Sequence, residues 1–271
     1  MKIFIFTYDR FNEITTSRYF AQQDHFVLCH SKHAKDKFLQ SGNIFGEIIA
    51  TENPKGLSYN RNAALDMMQP NEWALFFVDD LIKLTILQSY YKQPTNELDI
   101  DFDNVPKYRE EFKTECSAAS FLQLCQETIL HAEKKGFNLC GFSLTDNPLF
   151  RAKKYGYWSL SDGRCWLIKK THLRFDENIQ LIDDTCFTAM NLKEFGGVVN
   201  NNWILPNCQR YTAGAFGSIK KRLEQKIKEC KYLTEKYPQF ISYAEKSGWP
   251  LGSHIKIRQN RTYNKNQKTL F

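Results

Sequence analysis

One stretch limits the possible folds more than any other: Glu72-Trp73-Ala74-Leu75-Phe76-Phe77-Val78-Asp79-Asp80. Its six apolar residues do not alternate with polar ones, and Phe and Val dominate the end of the run. That pattern predicts a strand covered on both faces, as in a mostly parallel sheet with helices on either side. The run stops abruptly at two adjacent carboxylates. Open α/β sheets bind ligands outside the carboxyl ends of their strands. Two neighbouring aspartates there repel each other unless a cation or a donor-rich ligand neutralises them. The plain alternative is a solvated Asp-Asp pair at a strand-to-loop junction.

The flanking segments have the same character. Residues 2–7 and 26–30 are short apolar strands, and 44–49 is a weaker one. Helices are predicted at about 13–21 and 32–40, and at 58–68 after the turn Asn53-Pro54-Lys55-Gly56-Leu57. In the third helix Ala64, Leu65 and Met68 recur on the sheet side, and its first turns carry Asn60, Arg61 and Asn62 near unpaired backbone N–H groups. A further helix is predicted at 81–93, a polar insertion at 94–107 and a long helix at 116–135. Strands follow at 137–144, 157–160 and 164–169. Asp183 or Asp184 is placed to cap a helix that begins there. Short strands at 198–199 and 203–205 precede an amphipathic helix at 218–236, which is expected to pack on the body. The fold class is therefore α/β, with a central, mostly parallel sheet between helices. The expected division is 1–217, as a 1–95 half and a 136–217 half, followed by a basic helical extension at 218–271.

Charge is concentrated in that extension. From Ser218 onward there are thirteen Lys/Arg against four Asp/Glu, whereas the preceding 217 residues hold twenty-four against twenty-six. Such a skew favours an anionic partner: nucleic acid, a membrane surface or a phosphorylated ligand. The eight cysteines form no Cys-x-x-Cys pair and lie mostly among apolar neighbours, as free buried thiols do. With no signal-peptide pattern and no apolar run near eighteen residues, the expectation is a cytoplasmic protein, in the host cytoplasm if the source is viral, without a transmembrane segment.

Five segments, taken in order, resemble the nucleotide-sugar-dependent glycosyltransferases of the GT-A fold. Thr7-Tyr8-Asp9-Arg10 is similar to their opening nucleotide-binding turn. Residues 55–63, Lys-Gly-Leu-Ser-Tyr-Asn-Arg-Asn-Ala, are similar to their glycine-to-Arg-Asn helix start, and residues 76–80 to the strand bearing their acidic metal motif. Gly163-Arg164-Cys165-Trp166 resembles the acceptor-side strand. Phe175-Asp176-Glu177 with Asp183-Asp184 resembles the acidic turn that follows. The pattern departs at Leu81-Ile82, where many relatives carry a third carboxylate. The short chain and basic C-terminus further resemble bacteriophage enzymes that glycosylate hydroxymethylated pyrimidines in DNA, of which the TET-associated glycosyltransferase group is one kind.

The resemblance implies a GT-A-like domain that moves sugar from a nucleoside-diphosphate sugar, UDP-linked by expectation, to a hydroxyl acceptor. It places Thr7, Tyr8, Arg10, Lys55, Asn60, Arg61 and Asp79 on the donor. Mn2+ or Mg2+ is expected on Asp80, completed by His254. Asp184, or else Asp183, is the candidate base for the acceptor hydroxyl. Double-stranded DNA is the expected partner, with Lys256 and Arg258 on its phosphates and Trp158, Trp166, Trp203 and Tyr211 around the acceptor. Three alternatives stay open: transfer to a cell-surface polysaccharide or lipid, nucleotidyl transfer, and a non-catalytic nucleic-acid-binding protein on the same fold. Arg61 has a competing role as a salt bridge to the nearby aspartates.

Overall fold

The computed structural model describes residues 1–7, 14–42, 44–52, 56–87, 113–145, 154–208, 219–245 and 253–258. In its first half, β1 (Lys2–Phe6), α1 (Thr15–Tyr19), β2 (Phe26–Cys29) and α2 (Lys32–Ser41) lead to β3 (Glu47–Ala50). Next come α3 (Leu57–Asp66), β4 (Trp73–Val78), β5 (Leu81–Leu87) and β6 (Lys113–Glu115). The second half holds α4 (Ala118–Lys135), β7 (Leu139–Phe142), β8 (Tyr155–Gly156) and β9 (Cys165–Lys169). It continues with α5 (Asp183–Phe195), β10 (Val199–Asn201) and β11 (Ile204–Cys208). Helix α6 (Ile219–Lys236) and the paired strands β12 (Ile241–Glu245) and β13 (Ser253–Ile257) complete the described chain.

Eight strands form the central sheet in the order β3-β2-β1-β4-β9-β7-β10-β8. Six run in one direction, while β9, inserted between β4 and β7, and the edge strand β8 run against them. Successive side chains of a strand point to opposite faces, so both faces of this sheet are apolar for a simple reason. Ile3, Ile5, Leu75, Phe77, Cys165 and Leu167 face one core, which Phe20, Phe38 and Phe121 cover from the helical side. Phe4, Phe6, Ala74, Phe76, Trp166 and Ile168 face the other, covered by Ala64 and Leu65 of α3, by Met68 just past its end, and by Phe187 and Leu192 of α5. The uninterrupted apolar run of β4 is thus the signature of a strand buried on both sides.

Helix α6 packs on the outer side of α5, as its amphipathic pattern predicts: Cys230, Leu233 and Tyr237 meet Ile182, Cys186 and Ala189. The extension is not purely helical, because β12 and β13 pair antiparallel beside α6.

A second difference lies just after the paired aspartates. The segment predicted to be helical from 81 is strand β5, the centre of a three-stranded sheet in the order β11-β5-β6. Leu81, Leu84 and Ile86 are buried, and Thr85 lies opposite both Leu205 and Glu115. Pairing with strands far away in sequence decides the outcome, as tertiary context does for β-branched segments. The insertion predicted at 94–107 lies outside the described residues. No helix among the described residues is long and apolar enough to cross a membrane.

Candidate functional site

The site is built where β1 and β4 end side by side, with Phe6 opposite Val78. The next residue on each chain therefore meets the other. Thr7 Oγ1 donates to Asp79 Oδ2 at 2.7 Å, and both residues are buried. The turn is stapled from α1: Thr16 Oγ1 donates to the Val78 carbonyl at 2.6 Å and accepts from Leu81 N at 3.0 Å. Asp80, between these anchored positions, is half-buried.

Because β9 runs against β4, its amino end arrives at the same edge as the carboxyl end of β4. Cys165 lies opposite Phe77, and Val78 N donates to the Arg164 carbonyl at 3.0 Å. This delivers Asp162, Gly163 and Arg164 beside the aspartate pair. Arg164 Nε donates to Asp162 Oδ1 at 2.7 Å. Both residues line a small cavity with Phe142, Ser143, Cys165 and Pro206. The Cys208 thiol is pushed up by burial and then by the Asp80 charge, with Arg164, Asp162 and Asp79 also in electrostatic range. The Asp162–Arg164 pair therefore shares one edge with Asp79 and Asp80.

Helix α3 starts at Gly56, whose φ of +121° is in the range that favours glycine. Its first turns do not present Arg61 to an open surface. Arg61 is 2% exposed, ion-paired with Asp183 and donating from Nη2 to the Gly163 carbonyl at 2.7 Å. Its guanidinium carbon lies 4.5 Å from the Trp166 ring centre and 5.5 Å from that of Phe175. The competing role noted above, a salt bridge to an aspartate, is the one the side chain has. Asn60 is likewise buried and accepts from Thr51 Oγ1 at 2.6 Å.

At the start of α5 neither aspartate is the N-cap. That residue is Ile182, and both carboxylates lie in the first turn. Burial pushes the Asp183 carboxyl up, and the Arg61 guanidinium pulls it back. Asp184 is half-buried, with Oδ1 accepting from Thr185 N at 2.6 Å. Burial first, and then the charges of Asp162 and Asp183, push its carboxyl up to about 7. A carboxylate there can exchange a proton near neutral pH, as a general base must.

The remaining candidates are spread more widely. Tyr8, Arg10, Lys55 and Tyr211 lie outside the described residues. His254 pairs opposite Ala244 in the β12–β13 ladder, and its side chain is outside the described set. Lys256 is exposed, whereas Arg258 Nε donates to the Ile241 carbonyl at 3.0 Å. Trp166 lies wholly inside the core, with the Arg61 guanidinium over its ring and the Phe175 and Phe187 rings beside it. Trp158 packs on Phe240 and donates from Nε1 to the Arg258 carbonyl at 2.5 Å. Trp203 is half-buried, with the Lys154 ammonium 5.7 Å from its ring centre. Asp162, Arg164 and Thr16 escaped the sequence reading as site residues. Gly163, already singled out before β9, was the nearest signal.

The expected metal site fares less well. Among the described residues no group of three or more His, Cys, Asp or Glu could hold a metal ion. Asp79 is engaged by Thr7, and Leu81 and Ile82 enter β5. The described donors do not fit a metal site formed by the protein alone.

No protein-family model matches the chain, and no curated protein matches it. Among solved structures, the chain is similar to the crystal structure of S. aureus TarS 1–349. The two are 10% identical and superpose with a TM-score of 0.41, over 86% of this chain and 65% of that one, just under two thirds of its length. The fold is read from the chain's own strand order and not from that likeness.

Proposed function

We propose that this chain is a glycosyltransferase of GT-A architecture, moving sugar from a nucleoside-diphosphate carrier to an acceptor hydroxyl. One observation carries the reading. Asp79 and Asp80 from β4, Asp162 and Arg164 from the reversed β9, and Asp184 from α5 converge on the edge where open α/β sheets bind ligands. The reversed strand beyond β4 supports the architecture.

In this scheme Thr7 and Asp79 hold the nucleoside, Tyr8, Arg10 and Lys55 are assigned to the donor, and Asn60 acts only indirectly, through Thr51. Arg164 faces the negative charge that stays on the diphosphate as its bond to the anomeric carbon breaks. A new bond forms from that carbon to the acceptor oxygen, whose proton passes to Asp184. Arg61 works indirectly, by fixing Asp183. The described residues do not fit a metal site, so no step is assigned to a divalent cation. Mn2+ and Mg2+ enter as assay variables, with Asp80 and His254 as the side chains to test.

For the acceptor we favour a saccharide or lipid-linked hydroxyl. A swung-out base needs an aromatic platform, and Trp166 is buried while Trp158 packs on Phe240. Hydroxymethylated DNA is the second reading, favoured by the thirteen basic residues after position 217.

The test is a panel of nucleotide sugars with each metal, offered saccharide, lipid-linked and hydroxymethylpyrimidine-DNA acceptors, and read by mass and by nucleotide product. The expected result is release of nucleoside diphosphate, lost in Asp80→Asn. Release of pyrophosphate would make the protein a nucleotidyltransferase, and unchanged turnover in Asp80→Asn would sink the site.

A further inference from the structure

The acidic turn that carries Asp183 and Asp184 does not hold itself in place. It ends an eight-residue strap, 175–182, lying between α3 and α6. From the α3 side, Asn62 donates to the Phe175 carbonyl at 3.0 Å and accepts from Phe175 N at 2.8 Å, and Ser58 Oγ donates to the Ile179 carbonyl at 2.7 Å. From the α6 side, Lys236 and Tyr232 donate to Asp176 Oδ2 at 2.6 and 2.9 Å.

The contact nearest the site is Glu229. This α6 residue is 2% exposed. Its carboxylate accepts three successive backbone N–H groups: Gln180 at 2.9 Å, Leu181 at 2.9 Å and Ile182 at 3.2 Å. Gln225 Nε2 completes the set at 2.8 Å. A buried carboxylate is tolerable only when it is well supplied with donors, and this one has four. The backbone it grips is the last segment before Asp183. Two residues past Ile182, the carboxyl group of Asp184 therefore sits at the end of a lever whose fulcrum is on another helix.

We infer that Glu229 is a positioning residue: through residues 180–182 it sets where the Asp183 and Asp184 carboxylates stand, which makes α6 part of the catalytic unit and not an appendage. The inference rests on the glycosyltransferase reading. Glu229 touches no reacting atom.

The full-length Glu229→Gln variant tests it, since the carboxamide keeps the shape but turns N–H groups toward N–H groups. The expected result is a fall in kcat of at least tenfold, with the donor KM within twofold of the parent. The acid limb of the kcat profile should also move by half a pH unit or more. That limb reports Asp184 in the field of Asp183, Asp162, Arg61 and Arg164, none of which the variant replaces, so a moved limb reads a change in their spacing. A lower Tm with unchanged kcat and an unchanged profile would reduce Glu229 to a structural strut and overturn the inference.

If Glu229→Gln does not fold, Gln225→Ala and amide exchange decide. Gln225→Ala should shift kcat the same way by a smaller factor, and no shift counts against the lever. In the parent chain the amides of residues 180–182 should exchange as slowly as those inside α5, and exchange at coil rates overturns the clamp. A parent chain that transfers no sugar sinks the glycosyltransferase reading and the catalytic meaning of the clamp with it. Parent turnover that survives in a folded Glu229→Gln sinks the clamp alone.

Discussion

The Arg61 guanidinium carbon lies over the Trp166 ring, 4.5 Å from its centre, while its Nη atoms reach Asp183 and the Gly163 carbonyl. One buried cation thereby ties together the starts of three elements: α3, β9 and α5. Removing it leaves Asp183 as a buried, unpaired carboxylate. Arg61→Ala is expected to destabilise the fold by about 3–5 kcal/mol, the usual penalty for breaking one side of a buried pair. Equilibrium denaturation checks this. Arg61→Met with Asp183→Leu should recover most of the loss, because an apolar pair carries no desolvation penalty.

Asp184 links the site to pH. Its folded carboxyl, raised to about 7, binds a proton that the unfolded chain has already released above about 4. Its stabilising contribution is therefore complete below about 4 and is lost as pH rises toward 7. In the proposed role of Asp184 as general base turnover runs the other way, since the base must be deprotonated: kcat should climb through pH 7. Asp184→Asn should flatten the stability slope over that range and lower kcat by about 10²–10⁴-fold. Thermal melts and kcat, each measured between pH 4 and 8, read both slopes.

Gly163 packs against both Arg61 and Asp184. A Cβ there would lie 3.1 and 3.2 Å from the Arg61 Nη atoms and 3.2 Å from Asp184 Cβ. The neighbours can give only by moving the ion pair or the base. Gly163→Ala is expected to cost about 1–3 kcal/mol in stability and proportionally more in turnover. Comparing Tm with kcat in the same preparation separates the two losses.

The proposed polyanion contacts of Lys256 and Arg258 are separable. Lys256 is exposed, whereas Arg258 also braces β12 through the Ile241 carbonyl. Lys256→Gln is expected to weaken binding of a phosphate-rich acceptor and to lower the slope of log K against log salt by about one phosphate contact, with Tm unchanged. Arg258→Gln should lower both affinity and Tm. Salt-insensitive binding by the parent chain would remove both residues from the acceptor surface.

How much of this was legible beforehand differs by residue. Periodicity placed β4, α3, α4 and α6 close to their observed bounds, and the terminal Asp79-Asp80 of an apolar run marks the sheet edge at which the site is proposed. Local reading failed at β5, where Leu81 and Leu84 also suit a helix until β11 and β6 supply ladder partners. For Arg61 it left a donor contact and a salt bridge both open, and the buried side chain is paired with Asp183.

By itself the amino-acid order determined which segments are apolar, with what period, and which ends carry charge, because those properties belong to neighbours along the chain. Only the tertiary structure decided that β9 runs backward beside β4 and brings Asp162 and Arg164 to the aspartate pair. It alone put Asp183 against Arg61 and closed Glu229 over residues 180–182. A buried charge takes as its partner whatever the packing of distant elements sets within a few ångströms, and no local pattern encodes that distance.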